Sequence, residues 1–114
     1  MKLENQVPSL ELCKKLKELG YSQKGLFYWY VEEGKTFISV EELDLEECYV
    51  APTVAEMGEW LDGTRSGMYG EEARCIHFKH GDGHSEYDKT EANARAKMLI
   101  WLVENDYIDF KETK

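Results

Sequence analysis

All three histidines of this 114-residue chain fall in one stretch, His77-Phe78-Lys79-His80-Gly81-Asp82-Gly83-His84. Imidazole and carboxylate are the usual ligands of zinc and related ions, so metal chemistry would be sought here first. Read as a hairpin turning at Gly81-Asp82-Gly83, the stretch sets His80 opposite His84 and leaves His77 on the other face of its strand. His80 and His84, completed by Asp82 or Glu86, are then the candidate metal ligands. The competing reading is a charged turn in which two glycines and an aspartate simply reverse the chain. Neither a His-Glu-x-x-His helix nor a paired Cys-x-x-Cys accompanies the cluster, and no cofactor is expected.

A second candidate is nucleophilic. Cys75 and His77 lie two residues apart on the same face of a predicted strand, where a thiolate–imidazole pair oriented by Glu86 is conceivable. The alternative is a half-buried cysteine beside a surface histidine, and no family-specific nucleophile signature surrounds Cys75. Cys13 and Cys48 read as core fillers. A third candidate is the acidic run of Glu32, Glu33, Glu41, Glu42, Asp44, Glu46 and Glu47. It would bind a hard cation or imitate a phosphate backbone, or else form a solvated face, and it lacks the spaced oxygens and central glycine of an EF-hand loop. Tyr28, Trp29 and Tyr30 form the fourth. Consecutive aromatics in a strand alternate between sheet faces, so an uncovered face would expose them as an interaction surface. Glycine-rich phosphate loops, nucleophile elbows and dinucleotide fingerprints are missing from the sequence.

The elements that position these residues follow from periodicity. Leu12, Leu16 and Leu19 are at helical spacing behind Ser9 as N-cap, and Gly20 ends the predicted helix. Residues 26–31 are aromatic and β-branched and predict a strand. Glu33-Gly34-Lys35 is a turn, and residues 36–40 predict its hairpin partner. Residues 41–47 fit either an edge strand or a short helix, while Pro52 keeps residues 49–52 extended. Thr53-Val54-Ala55-Glu56 is a capping box opening a second helix, with Val54, Met57, Trp60 and Leu61 as its stripe and an end near Asp62-Gly63. The glycine-containing segment 64–72 reads as a mobile loop and the first place to look for function. Residues 74–79 and 84–87 predict a second hairpin. Residues 90–104 predict a third helix, with Ala92, Ala96, Leu99 and Val103 on one face and Asn105 at its end.

The resulting order is α-β-β-α-β-β-α in one domain spanning residues 1–114. It is an α+β fold in which helices pack on an antiparallel sheet, the runner-up being a mixed sheet with helices on both faces. The formal charge is −9, from 23 acidic against 14 basic residues, with no basic patch to offset it. Such a field repels nucleic acids and anionic membranes, so neither is expected as a partner. Residues 1–6 lead into no apolar h-region, and no run approaches the ~18 apolar residues of a membrane helix. The three widely spaced cysteines suit a reducing compartment. A cytoplasmic location is expected.

Three segments carry a resemblance: Pro8-Ser9-Leu10-Glu11-Leu12-Cys13-Lys14-Lys15-Leu16-Lys17-Glu18-Leu19-Gly20-Tyr21 leading to Phe27-Tyr28-Trp29, then Ala51-Pro52-Thr53-Val54-Ala55-Glu56-Met57-Gly58-Glu59-Trp60-Leu61, and Thr90-Glu91-Ala92-Asn93-Ala94-Arg95-Ala96-Lys97-Met98-Leu99-Ile100. Together they resemble a family of small phage- and prophage-encoded proteins without an assigned activity. That family places a proline after the Trp-Leu where this chain has Asp62. The resemblance implies a phage or prophage origin and no catalytic residue. The functional expectation is a non-enzymatic accessory protein that acts through an unidentified protein partner or as a homodimer. The alternatives are an acidic mimic of nucleic acid that inhibits a host enzyme, and a metal- or thiol-dependent enzyme built on Cys75, His77, His80, His84 and Glu86.

Overall fold

A computed structural model describes residues 3–40, 47–79 and 83–110. A 3-10 turn at Leu3–Asn5 precedes α1 (Leu10–Glu18), β1 (Tyr28–Glu32), β2 (Lys35–Ser39), β3 (Glu47–Val50), α2 (Val54–Gly58), β4 (Thr64–Tyr69), β5 (Glu72–His77), β6 (His84–Asp88) and α3 (Glu91–Glu104). The fold is α+β and its sheets are antiparallel, with helices packed on them. Two strands beyond the expected order, β3 and β4, divide the strands into two three-stranded sheets, ordered β2-β1-β3 and β4-β5-β6.

The local chemistry that starts the helices is visible in each. Ser9 Oγ accepts the Leu12 N–H, Thr53 and Glu56 form the complete capping box, and Thr90 Oγ1 accepts the Asn93 N–H. These bonds satisfy donors that a helix start otherwise leaves orphaned. The α2 helix stops at Gly58, short of the predicted end. Trp60 and Leu61 continue the apolar stripe through turns, with Trp60 N–H bonded to the Met57 carbonyl and Leu61 N–H to the Gly58 carbonyl. The first hairpin turns through Glu33 and Gly34, both at positive φ, the two-residue geometry that matches strand twist.

Segment 64–72, expected to be a loop, is instead β4 and the turn into β5. Gly70 at positive φ makes that turn between Tyr69 and Glu72. Two of the three inner positions of β4, Thr64 and Ser66, carry hydroxyls and the third, Met68, is largely exposed, which hides the strand from hydrophobic periodicity. Thr64 Oγ1 lies 2.8 Å from His77 Nδ1, and Ser66 Oγ donates to Glu91 Oε1 at 2.9 Å.

The α3 helix is the common support. It packs against β4, β5, β6, α1 and α2, and Ala92, Ala94, Ala96, Met98, Leu99 and Leu102 are buried around it. Small alanines let neighbouring backbones approach closely, and Met98, Leu99 and Leu102 fill the wider gaps. The same cluster takes in Leu16, Tyr28, Tyr30, Val50, Met57, Ala73 and Cys75. A satellite cluster of Val7, Cys13 and Ala51 gathers Phe27, Trp29, Ile38 and Tyr49. Polar residues around the first turns of α3 tie it to its surroundings. Asn93 Oδ1 accepts the Ser9 N–H, Asn93 Nδ2 donates to Asp88, and Lys97 Nζ reaches Asp88 Oδ2 at 2.8 Å. Arg95 spans three elements: Nε donates to Ser66 Oγ at 2.8 Å, Nη1 to the Val54 carbonyl at 3.2 Å, and Nη2 lies 3.4 Å from Glu91 Oε1.

Candidate functional site

The histidine cluster forms around β5 and β6, with a different pairing from the one expected. β5 ends at His77 and β6 starts at His84, and the register puts His77 opposite His84. His80 lies outside the described residues. His77 is buried with Nδ1 on Thr64 Oγ1. His84 stacks on the Trp101 indole at a centroid distance of 3.9 Å and an interplanar angle of 4°, and its Nε2 pairs with Glu86 Oε2. Tyr107 lies against the same indole at 5.4 Å. Among the described residues, no group of three or more His, Cys, Asp or Glu side chains is placed to hold a metal ion. His84 thus has an aromatic neighbour and a carboxylate partner, and the cluster anchors α3 to the second sheet.

Cys75 and His77 do share the buried face of β5, with Glu86 opposite Cys75. Burial pushes the Cys75 thiol up to about 12, against a smaller opposing influence of Arg95. The thiol is therefore protonated at neutral pH, the opposite of what a nucleophilic cysteine requires. Burial likewise pushes Cys13 up to about 12. In the acidic run, Glu32 ends β1, Glu33 makes the turn and Glu47 starts β3. Glu41, Glu42, Asp44 and Glu46 lie outside the described residues.

Two of the three aromatic candidates occupy the core rather than a surface. Tyr28 is 6% and Tyr30 0% exposed, because β1 is the central strand of its sheet. Tyr30 stacks on Phe37, and Trp29 on the opposite face donates from Nε1 to the Pro8 carbonyl at 2.9 Å. An interaction surface at Tyr28 and Tyr30 would require opening the core, whereas the half-buried Trp29 lines a cavity beside β2.

The exposed aromatic surface lies on the second sheet. Ala73, Cys75 and His77 face α3, so alternation turns Arg65, Gly67 and Tyr69 of β4, Glu72, Arg74 and Ile76 of β5, and Ser85 and Tyr87 of β6 to the other side. Among the described residues no helix packs on that side. Tyr69 and Tyr87 are 61% and 45% exposed. The Arg74 guanidinium lies between them, 5.7 Å from the Tyr69 ring and 5.6 Å from the Tyr87 ring. Arg74 Nη2 donates to Ser85 Oγ at 3.3 Å, while Nε is buried without a hydrogen-bond partner. Gly67 stands opposite Arg74, and a Cβ built there would meet no atom within 4 Å. The face is a shallow platform with a cation held between two phenol rings. Sequence reasoning missed it because it depends on β4 being a strand. The available signal was the Gly70 turn flanked by Tyr69 and Glu72.

No family model, curated protein or solved structure matches the chain. No helix among the described residues is long and apolar enough to cross a membrane.

Proposed function

We propose that the chain is a non-enzymatic binding module that docks a protein partner on the outer face of the β4-β5-β6 sheet, in the role of a phage or prophage accessory protein. The observation that carries this reading is the Tyr69–Arg74–Tyr87 row on an uncovered sheet face. Tyrosine and arginine are among the residues that contribute most at protein interfaces, tyrosine because it buries much area for few lost rotamers and arginine because its planar head combines many donors with stacking. The two rings already restrain the guanidinium, which lowers the ordering cost of docking. Arginine and tyrosine also stack on nucleic acid bases, but a net charge of −9 opposes a phosphate backbone, so a protein is the better-matched partner.

The test is affinity capture from a host lysate with the natural chain and with the Arg74→Glu/Tyr87→Ala double variant. The expected result is a protein retained by the first and lost by the second, with thermal unfolding of the two matching. An identical set of captured proteins from both would refute the assignment of the face.

A further inference from the structure

In an antiparallel sheet, successive residues turn their backbone groups alternately toward the paired strand and away from it. The Phe78 N–H bonds the Gly63 carbonyl at 2.8 Å, and Tyr69 and Glu72 close the turn at the other end. Arg65, Gly67 and Tyr69 therefore bond to β5, while Thr64, Ser66 and Met68 turn their N–H and C=O groups outward. The same alternation defines the outward groups of the other edge strands, and on two of those edges side chains take some of these groups. On β3, Lys17 Nζ donates to the Cys48 carbonyl at 3.2 Å and the Val50 N–H donates to Gln23 Oε1 at 2.9 Å. On β6, Lys97 Nζ donates to the Tyr87 carbonyl at 2.8 Å.

On β4 the Thr64 N–H is taken by the Leu61 carbonyl at 3.1 Å. The outward groups of Ser66 and Met68 meet no partner among the described residues. Beside Met68 opens a groove of about 750 Å³, walled by Val54 and Ala55 at the start of α2, by Asn5 and Gln6, and by Thr90. Unpaired edge groups and an apolar recess next to them are the two requirements for strand addition. The edge supplies main-chain hydrogen bonds, and the recess reads one side chain. Among the described residues the outward groups of Thr36 and Ile38 on the β2 edge also meet no partner, but the cavity beside it is smaller, about 500 Å³, and adjoins the short 3-10 turn at Leu3 and Glu4 rather than an α-helix.

We infer that the β4 edge binds an extended peptide segment of a partner protein as an added strand, seating one apolar side chain of that segment between Met68, Val54 and Ala55. A single strand enters between the walls of the groove. A second copy paired β4 to β4 about a two-fold axis would bring its own Val54 and Ala55 toward the same space, since such an axis sets like surfaces together. It would also join two molecules of charge −9, which repel one another. The edge is separate from the outer face, and the two fail or survive independently. Met68→Pro removes an outward N–H without breaking a bond to β5, while Arg74→Glu alters only the outer face.

The experiment is selection from an mRNA-displayed library of random dodecapeptides against the full chain, followed by affinity measurement with synthetic peptides. Enriched peptides are expected to carry apolar residues at alternate positions and to shift the NMR amide signals of Ser66 and Met68. Their affinity should fall about tenfold or more with Met68→Pro, with Ala55→Trp, and with N-methylation of alternate peptide bonds, as expected when main-chain bonds and one pocket carry the binding. Ala55 is exposed, so its replacement and the N-methylated peptides keep the test intact if Met68→Pro does not fold. Four results would overturn the inference: no enrichment over an unrelated control protein, affinities unchanged by Ala55→Trp and N-methylation, loss caused only by Ile38→Pro or Arg74→Glu, or a dimer in sedimentation that Ala55→Trp dissociates.

Discussion

Replacing Arg95 with methionine keeps most of the aliphatic stem and deletes the guanidinium that joins β4, α2 and α3. Two hydrogen bonds are lost, at 2.8 Å to Ser66 Oγ and 3.2 Å to the Val54 carbonyl. Each involves a charged donor in a partly buried setting, for which about 1.5 kcal/mol is the lower end of the usual range. The Glu91 contact, at 3.4 Å between side chains 21% and 33% exposed, adds about 0.5 kcal/mol as an i,i+4 pair. The expected loss is therefore about 3.5 kcal/mol, a fall in Tm of roughly 15 °C for a domain of this size. Arg95→Lys, which keeps the charge and reaches one partner, should recover about half of it. Urea unfolding followed by tryptophan fluorescence measures both, with the slope against denaturant compared to confirm the same transition. A loss under about 1 kcal/mol for Arg95→Met, or additivity with Ser66→Ala to within ~0.3 kcal/mol, would refute the network as a structural tie.

Gly63 sits at φ +77°, and a Cβ there would lie 2.6 Å from the Lys79 Cβ; Gly63→Ala should cost about 2 kcal/mol, measurable in the same unfolding assay, and a neutral result would contradict the geometry. For Asp88, burial alone would raise the pKa, but hydrogen bonds from Lys97, Asn93 and the Lys89 N–H, with the Lys97 charge, outweigh it and hold the carboxyl below its ordinary 3.8. The unfolded chain then takes up the proton first on acidification, so this stabilisation is complete above 3.8 and is lost as pH falls through the depressed folded value. The advantage of the natural chain over Asp88→Asn should shrink in acid, and a difference independent of pH would count against the assignment. Cys13 and Cys75, with thiols at about 12, should resist iodoacetamide in the native state at mildly alkaline pH while half-buried Cys48 reacts first. Mass spectrometry decides this, and labelling of Cys75 faster than global unfolding would show that β5 is open.

Helix starts were the most legible part of the sequence. Ser9, Thr53 and Thr90 cap as their side-chain chemistry dictates, and α3 runs where its apolar pattern places it. The end of α2 was less so, since Trp60 and Leu61 keep helical spacing through a run of turns. The β4 strand escaped notice because Thr64 and Ser66 face inward and are held by hydrogen bonds to His77, Glu91 and Arg95 rather than by burial of hydrocarbon. Periodicity registers hydrophobicity, and a strand anchored by hydroxyls gives it nothing to register. The candidate face inherits that blindness. Tyr69, Arg74 and Tyr87 are far apart in sequence, and only the register of three strands puts them side by side. Conversely, Tyr28 and Tyr30 drew attention as a surface for the same reason they are buried: a densely aromatic strand belongs at the centre of a sheet.

The α3 helix is the surface on which β4, β5, β6, α1 and α2 all come to rest, yet it follows every one of them in the chain. During synthesis from the amino end, each of those elements leaves the ribosome before the partner that buries its apolar side exists. The second sheet and the faces of α1 and α2 that meet α3 must wait uncovered until residues 91–104 emerge. Completion of the core is thus gated by translation of α3, and a ribosome stalled ahead of it would display a second sheet without its cover.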